Sequence, residues 1–327
     1  MLVSSLLDIF KSNPNEYLSG TKLSELLGVS RTAIWKQIRK LEAEGYEFEA
    51  STKLGYKLMM HPSSLDRDLI AKQLHTKTFG QQINVYPAVD STQNVAREAA
   101  EQGAPEGTLF IAEQQLSGRG RMGRQWVSPA GKGIYLSMIL RPNVAIPFAP
   151  QLTLLTAVAL CRSLRTITAL PIGIKWPNDL LIGQQKISGI LLESATEDTR
   201  IKYIIAGIGI SVNLTEKDYT EQLLVKATSL RLAAGKPFDR ATIVGQFLLE
   251  WEQLYESYLA AGFQAIIPIW EALSVSLGKP TTITTHNETI VATPIGLDES
   301  GAIRIQLEDG SERAIFSAEM GQPNIKK

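Results

Sequence analysis

The chain is poor in the residues that build metal sites and disulfides. Among 327 residues there is one cysteine, Cys161, and only three histidines, His61, His75 and His286, far apart in the chain. A lone cysteine rules out a disulfide framework, and its apolar helical surroundings read as a buried structural thiol rather than a nucleophile. The histidine spacing matches no zinc motif, so no structural metal is expected. Net charge is missing as well: 33 basic residues balance 33 acidic ones. Nucleic-acid binding must therefore come from a local patch, and nothing points to a membrane partner. No basic leader precedes an unbroken apolar stretch, and no segment is long and apolar enough to span a bilayer, so the expected location is the cytoplasm. There are no repeats or low-complexity tracts. What remains is a composition typical of soluble proteins, with length for two or three domains.

Residues 1–60 read as three short helices and a hairpin. "LVSSLLDIF" sets Leu2, Leu6, Ile9 and Phe10 on one helical face, and "SGTKLSELLGVS" gives a second helix that stops at Gly28. Ser30 can cap a third, "RTAIWKQIRKLEAEG", whose Ala33, Ile34, Ile38 and Leu41 form an apolar stripe ending at Gly45. "YEFEA" and "GYKLM" alternate around "STKLG" as a β-wing would. A helix, a tight Gly-Val-Ser turn and a second helix have helix-turn-helix spacing. From Arg31 to Lys40 the third helix carries Arg31, Lys36, Arg39 and Lys40 with no acid, while Glu42 and Glu44 follow. With Thr32, these four cations are the candidate DNA contacts, a basic face for phosphates and bases. A solvated helix of a small interaction module is the plainer reading, but wing and charge together favour DNA. Trp35 is assigned to packing.

The polar, proline-containing "HPSSLDRD" marks a domain boundary. Beyond it, strands such as "INVYPAV", "TLFIAEQ", "IYLSMIL", "IGIKW" and "YIIAGIGISVN" mix with helices without strict alternation, predicting an α+β or α/β domain with a mixed sheet. Short strands and turns after about residue 273 predict a small β-barrel.

Three stretches carry candidate chemistry. "GRGRMGRQW" fits G-x-G-x-x-G, but loop-like sequence and then a strand follow it, where a dinucleotide fold needs a helix. Glycines that admit a ligand to the backbone, with Arg119, Arg121 and Arg124 to clamp phosphate oxygens, describe a loop that holds phosphates in another way. Trp126 reads equally as a purine-stacking residue or as core. In "KWPNDLLIGQQKISGIL", turn chemistry explains Pro177, Asn178 and Asp179. It does not explain Lys175 and Lys186 on either side. "DST", Asp90 to Thr92, ends a strand and begins a helix, for which ordinary capping is a sufficient account.

Taken in order, "DSTQN", "AEQQLSGRGRMGRQWVSP", "KWPNDLLIGQQKISGILLE" and "GIGISVN" resemble the biotin protein ligases that carry a DNA-binding domain and also act as biotin operon repressors. The resemblance covers nearly the whole chain. It implies a winged helix-turn-helix domain over 1–64, a class II synthetase-like ligase domain over 65–272 and an SH3-like β-barrel over 273–327. It implies synthesis of biotinyl-5′-AMP from biotin and MgATP, then transfer to a lysine of biotin carboxyl carrier protein. It further implies operator DNA as a partner and a ligand-promoted homodimer. On this basis Ser91, Thr92, Gln115, Gly118, Arg119, Lys186 and Gly189 are expected at the biotin. Arg121, Arg124, Trp126, Lys175, Asp179 and Asn213 are expected at the nucleotide, with Asp179 also at Mg²⁺. Lys186, Arg119 and Arg121 form the catalytic set. Met122 stands where many relatives have another arginine, and "IFSAEMGQPNIKK" matches the closing pattern loosely. A ligand sensor without ligase activity and a lipoate ligase are the competing readings.

Overall fold

A computed structural model describes residues 2–13, 16–43, 46–60 and 65–321. The chain separates into two compact units, Met1–Ser64 and Leu65–Lys327.

In the first unit, α1 (Leu2–Ser12), α2 (Gly20–Leu27) and α3 (Arg31–Ala43) precede a hairpin of β1 (Glu47–Ser51) and β2 (Gly55–Met60). Leu6, Leu7, Phe10, Leu18, Leu23, Ile34, Ile38 and Leu41 form its buried core. The helix ends follow from capping. Ser19 Oγ accepts from Lys22 N, Ser30 Oγ accepts from Ala33 N at 3.2 Å, and Gly28 takes the left-handed φ of 64° that closes α2. Leu18 and Tyr56 exchange backbone hydrogen bonds of 2.8 and 2.9 Å, tying the hairpin to the helices. That approach needs glycine next door: a Cβ on Gly55 would lie 2.2 Å from the Leu18 carbonyl oxygen. The Leu2 side chain, Glu44, Gly45 and His61 to Ser64 lie outside the described residues. Trp35 departs from its expected packing role. It is 48% exposed, because it lies about 100° around α3 from Ile34, off the stripe of Ile34, Ile38 and Leu41 that faces the core.

The second unit begins with α4 (Arg67–Ala71), β3 (Ile83–Tyr86), α5 (Thr92–Glu101), β4 (Leu109–Ala112) and β5 (Ile134–Leu140). It continues through α6 (Ala149–Thr168), β6 (Ile172–Lys175), β7 (Asp179–Ile182), β8 (Gln185–Glu197) and β9 (Arg200–Ile210). Helices α7 (Glu221–Leu224), α8 (Leu230–Ala234), α9 (Arg240–Ala261) and α10 (Ile267–Leu273) follow. The sheet is mixed, as expected: its order is β3-β4-β5-β9-β8-β7-β6, and β3 pairs parallel with β4 while the other ladders are antiparallel.

Both faces are covered, and the period of two divides them. Leu109 and Ile111 of β4, Leu136 and Met138 of β5, and Ile204, Ala206, Ile208 and Ile210 of β9 join the core that includes α6 and α9. Phe110, Ile139, Tyr203 and Ile205 point the other way and pack with Ala96 and Ala100 of α5. This is why "IYLSMIL" is apolar almost throughout: all seven of its residues are buried. Cys161 is buried among these helices, and burial pushes its thiol up to about 11, so it stays protonated.

The last strands are β10 (Thr281–Thr284), β11 (Thr289–Leu297), β12 (Ile303–Gln306), β13 (Glu312–Ile315) and β14 (Glu319–Met320). They form an antiparallel sheet of order β13-β12-β11-β10-β14. Among the described residues no ladder joins β13 to β14, so the pairing is open rather than a closed barrel. Ile283, Leu297, Ile303, Ile305 and Ile315 pack into the same core as α6 and α9. Residues 322–327 lie outside the described residues. No helix among the described residues is long and apolar enough to cross a membrane.

Candidate functional site

One register row crosses the main sheet. Lys175 pairs with Asp179, Asp179 with Gly189, Gly189 with Gly209, Gly209 with Tyr135 and Tyr135 with Ala112. Residues distant in sequence are thereby set side by side. Odd-numbered β9 residues share one face, so Gly207 and Gly209 continue the row that Tyr203 and Ile205 begin. There they leave room. A Cβ on Gly207 would lie 2.8 Å from Gln93, and one on Gly209 would lie 2.5 Å from the Trp126 indole. Trp126 thus lies across β9 and reaches β8, its ring 3.3 Å from the position of a Gly189 Cβ.

The loop that carries Trp126 is not a dinucleotide fingerprint. After β4 it makes only a three-residue 3₁₀ turn, Arg121–Gly123, before β5. It folds back on itself through Gly120 N to Arg124 O at 2.7 Å and Trp126 N to Gly118 O at 2.9 Å. Met122, at its tip, takes a left-handed φ of 57°.

Beneath this loop is a cavity of about 610 Å³, within the range of small-molecule sites. Ser91, Thr92, Gln115, Arg119, Arg121, Arg124, Trp126, Lys175, Asp179, Lys186 and Gly189 all line it. Two expected residues do not. Asn213 spends its amide on Phe238, donating to its carbonyl and accepting from its N–H, each at 2.9 Å. Gly118 packs within its own loop, where a Cβ would lie 2.7 Å from the Trp126 carbonyl oxygen. The glycine there serves the loop's fold rather than the cavity wall.

At one end the wall is polar and neutral. Gln115 Oε1 accepts from Thr92 N at 2.9 Å and from Thr92 Oγ1 at 3.1 Å, while Gln115 Nε2 donates to Ser128 Oγ at 3.2 Å. Thr92 Oγ1 is 2.8 Å from Ser137 Oγ. Ser91 occupies the N-cap of α5, yet its hydroxyl makes no capping bond, so ordinary capping does not account for it. The Gln93 Oε1 and Trp126 Nε1 atoms are buried without hydrogen-bond partners, as polar atoms in a ligand cavity can be.

At the other end cations converge. Lys186 Nζ stands 2.6 Å from Asp179 Oδ1 as an ion pair and 5.5 Å from the Trp126 ring centroid. Arg121 donates to Asn178 Oδ1 at 3.2 Å and to Ser317 Oγ at 3.4 Å. Arg124 pairs with Glu319, and Arg119 donates to Asn94. Burial lowers the pKa of Arg121 and of Lys175, with Asp179 opposing the shift in both. The Arg124 hydrogen bond holds the Glu319 carboxyl below its usual range. Gln93, Asn178, Ser317 and Glu319 were missed in the sequence. Asn178 was visible only as a turn residue, and the two C-terminal residues carry no local signal. No cluster of three or more His, Cys, Asp or Glu suited to a metal occurs among the described residues.

In the first unit, Arg31, Thr32, Lys36, Arg39 and Lys40 are all exposed on one stripe of α3. Arg39 also pairs with Glu42 at 3.0 Å.

Residues 85–211 match the model of the biotin/lipoate A/B protein ligase family, residues 3–57 an HTH domain, and residues 276–320 the biotin protein ligase C-terminal domain. The chain is 40% identical over 319 residues to the bifunctional ligase/repressor BirA of Bacillus subtilis, covering 98% of each. It is 31% identical to the Escherichia coli protein of the same description, covering 95% of each. The structure of the Aquifex aeolicus biotin protein ligase in complex with biotin and ATP superimposes with a TM-score of 0.65 at 30% identity, covering 74% of this chain and 98% of that one. With a cavity of this kind in one unit and a basic helix-turn-helix in the other, the chain belongs to the biotin protein ligases, in their bifunctional ligase/repressor form.

Proposed function

We propose that the protein joins biotin to ATP, transfers biotin to a lysine of biotin carboxyl carrier protein, and represses biotin-synthesis genes when its ligand is bound. The observation that carries the ligase reading is the polarity of one cavity, with Ser91, Thr92 and Gln115 at one end and Lys175, Lys186 and Arg121 at the other. The neutral end suits a small, neutral, hydrogen-bonding ring. The basic end suits a carboxylate meeting phosphates.

In the first step a biotin carboxylate oxygen attacks the α-phosphorus of ATP, and the bond to the β-phosphate oxygen breaks to release pyrophosphate. Lys186 supplies a fixed positive charge where negative charge builds on the transferring group, and Arg121 meets the phosphates with a planar fork. Arg119 orders the loop over the biotin side chain, Arg124 and Lys175 serve the nucleotide, and the Trp126 ring stacks on the adenine. Gly189 leaves room beside Lys186. Asn213 acts from outside, fixing the chain near Phe238. In the second step a lysine amine attacks the acyl carbon and AMP departs with the bonding electrons.

Mg²⁺ enters as part of the nucleotide complex. One hard carboxylate beside phosphate oxygens is a common magnesium environment, and Asp179, whose Oδ1 faces Lys186 Nζ at 2.6 Å, would supply it by exchanging that pair for the ion. Bound there, the ion would offset phosphate charge, while the chain's own cations orient the reactants.

The finer architecture belongs to the same proposal: a winged helix-turn-helix over 1–64, a class II synthetase-like domain over 65–272 and an SH3-like barrel over 273–327. So do a cytoplasmic location and a dimer promoted by the adenylate that binds palindromic operator DNA. The decisive assay is incorporation of labelled biotin into a carrier domain by purified protein with MgATP. Absence of transfer would favour a ligand sensor, and preferential activation of lipoate in competition would favour a lipoate ligase.

A further inference from the structure

The exposed stripe of α3 is not purely basic. Its outward residues are Arg31, Thr32, Trp35, Lys36, Arg39 and Lys40, and Trp35 is the one large apolar side chain among them. The spacing i, i+4, i+8 puts Trp35 between Arg31 and Arg39 on one row, with Thr32, Lys36 and Lys40 beside it. Its indole is held in place: the Arg39 guanidinium lies over the ring at 5.5 Å from its centroid, and Arg39 is in turn held by Glu42 at 3.0 Å.

Resting on the DNA-binding reading above, we infer that Trp35 reads sequence, packing its indole against thymine C5-methyl groups in the major groove. The charge pattern selects duplex DNA as occupant, since four cations without an acid between Arg31 and Lys40 complement phosphates. Cations on phosphates fix register but carry little sequence information. The thymine methyl is the main apolar feature of the major groove, and Trp35 is the main apolar feature of the stripe. Its place in the first half of α3 is where a recognition helix meets base edges.

The test uses the full-length protein with biotin and MgATP. Operator-like duplexes are first selected from a random-sequence pool, and binding to the selected duplex is compared with binding to unrelated duplex for wild type, W35A and W35F. Each thymine is then replaced in turn by uracil, which lacks only the methyl. The expected result is a selected site containing thymine. W35A should bind it about tenfold more weakly with unrelated duplex within twofold of wild type, and W35F should fall between. One or two uracil positions should weaken wild type but leave W35A unchanged. Circular dichroism of W35A checks its fold, and W35F keeps the test decisive if W35A is poorly folded. W35A with wild-type affinity and preference would overturn the inference, as would equal weakening on all duplexes without a uracil effect. If wild type selects no sequence, the DNA reading falls and the inference with it. Selection by wild type with an unaffected W35A removes the inference alone.

Discussion

Gly209→Ala is the most economical perturbation of the cavity, because it adds one methyl and removes nothing. The new Cβ would stand 2.5 Å from Cε2 and 2.6 Å from Nε1 of Trp126, where ordinary contact begins near 3.4 Å. The indole has to retreat by about 1 Å, a displacement large enough to cost about 10²-fold when it disturbs a reacting geometry. Retreat is not free, since Trp126 N is bonded to Gly118 O at 2.9 Å and its ring lies beside Lys186. Overpacking of this kind costs about 1–3 kcal/mol of stability. We therefore expect kcat/KM for biotin-dependent exchange of pyrophosphate into ATP to fall about 10²-fold, or about 3 kcal/mol. Trp126→Phe removes the indole atoms that collide, so adding Gly209→Ala to it should cost much less than adding it to wild type. Wild-type exchange by Gly209→Ala, or simple additivity in the double-mutant cycle, would refute the reasoning.

Further predictions concern charge. Lys186→Ala should slow adenylate formation about 10²- to 10³-fold with little change in the thermal unfolding midpoint, read by single-turnover kinetics and calorimetry. Burial disfavours the protonated form of Lys175, so its folded pKa lies below the ordinary 10.5. The cost of that charge is present at neutral pH and relieved as pH rises through the folded value towards 10.5. Nucleotide affinity should fall over the same alkaline window, and Lys175→Arg should move that limb upward, checked by ATP titrations across pH. Arg240 is fully buried, bonded at 2.8 and 3.1 Å to Glu113 and at 2.9 Å to the Gly133 carbonyl. Glu113→Ala removes the carboxylate that faces this buried charge and should lower stability by about 3–5 kcal/mol in urea unfolding.

Much of this arrangement is local and therefore visible in sequence. The Ser19 and Ser30 caps, Gly28 and the 3.6 and 2.0 periodicities mark α2, α3 and the strands without reference to anything distant. The arginine-glycine loop and the two lysines also declare themselves by composition. What stays hidden depends on register and on partners far along the chain. Nothing in "GIGISVN" says that its glycines exist to admit Gln93 and Trp126, since that follows only from pairing β9 with β8 and β5. Glu319 meets Arg124 across 195 residues. Asn213, by contrast, sits in a matching motif yet faces Phe238, because a short amide in a buried turn is consumed by the nearest backbone. Trp35 illustrates the same limit on a helix, where hydrophobicity suggested the interior and angular position put the side chain outside.

The alternation of β9 has a further consequence for faults in folding. One set of its residues builds the core with α6 and α9, while the interleaved set makes room for Trp126 and Gln93. A slip of a single residue would exchange the two sets, presenting Ile208 and Ile210 to the cavity and glycines to the core. Interior packing and ligand binding therefore proofread one another. A misregistered chain forfeits both at once, and a substitution that loosens the core along this strand would be scored in an activity assay as a defect in catalysis.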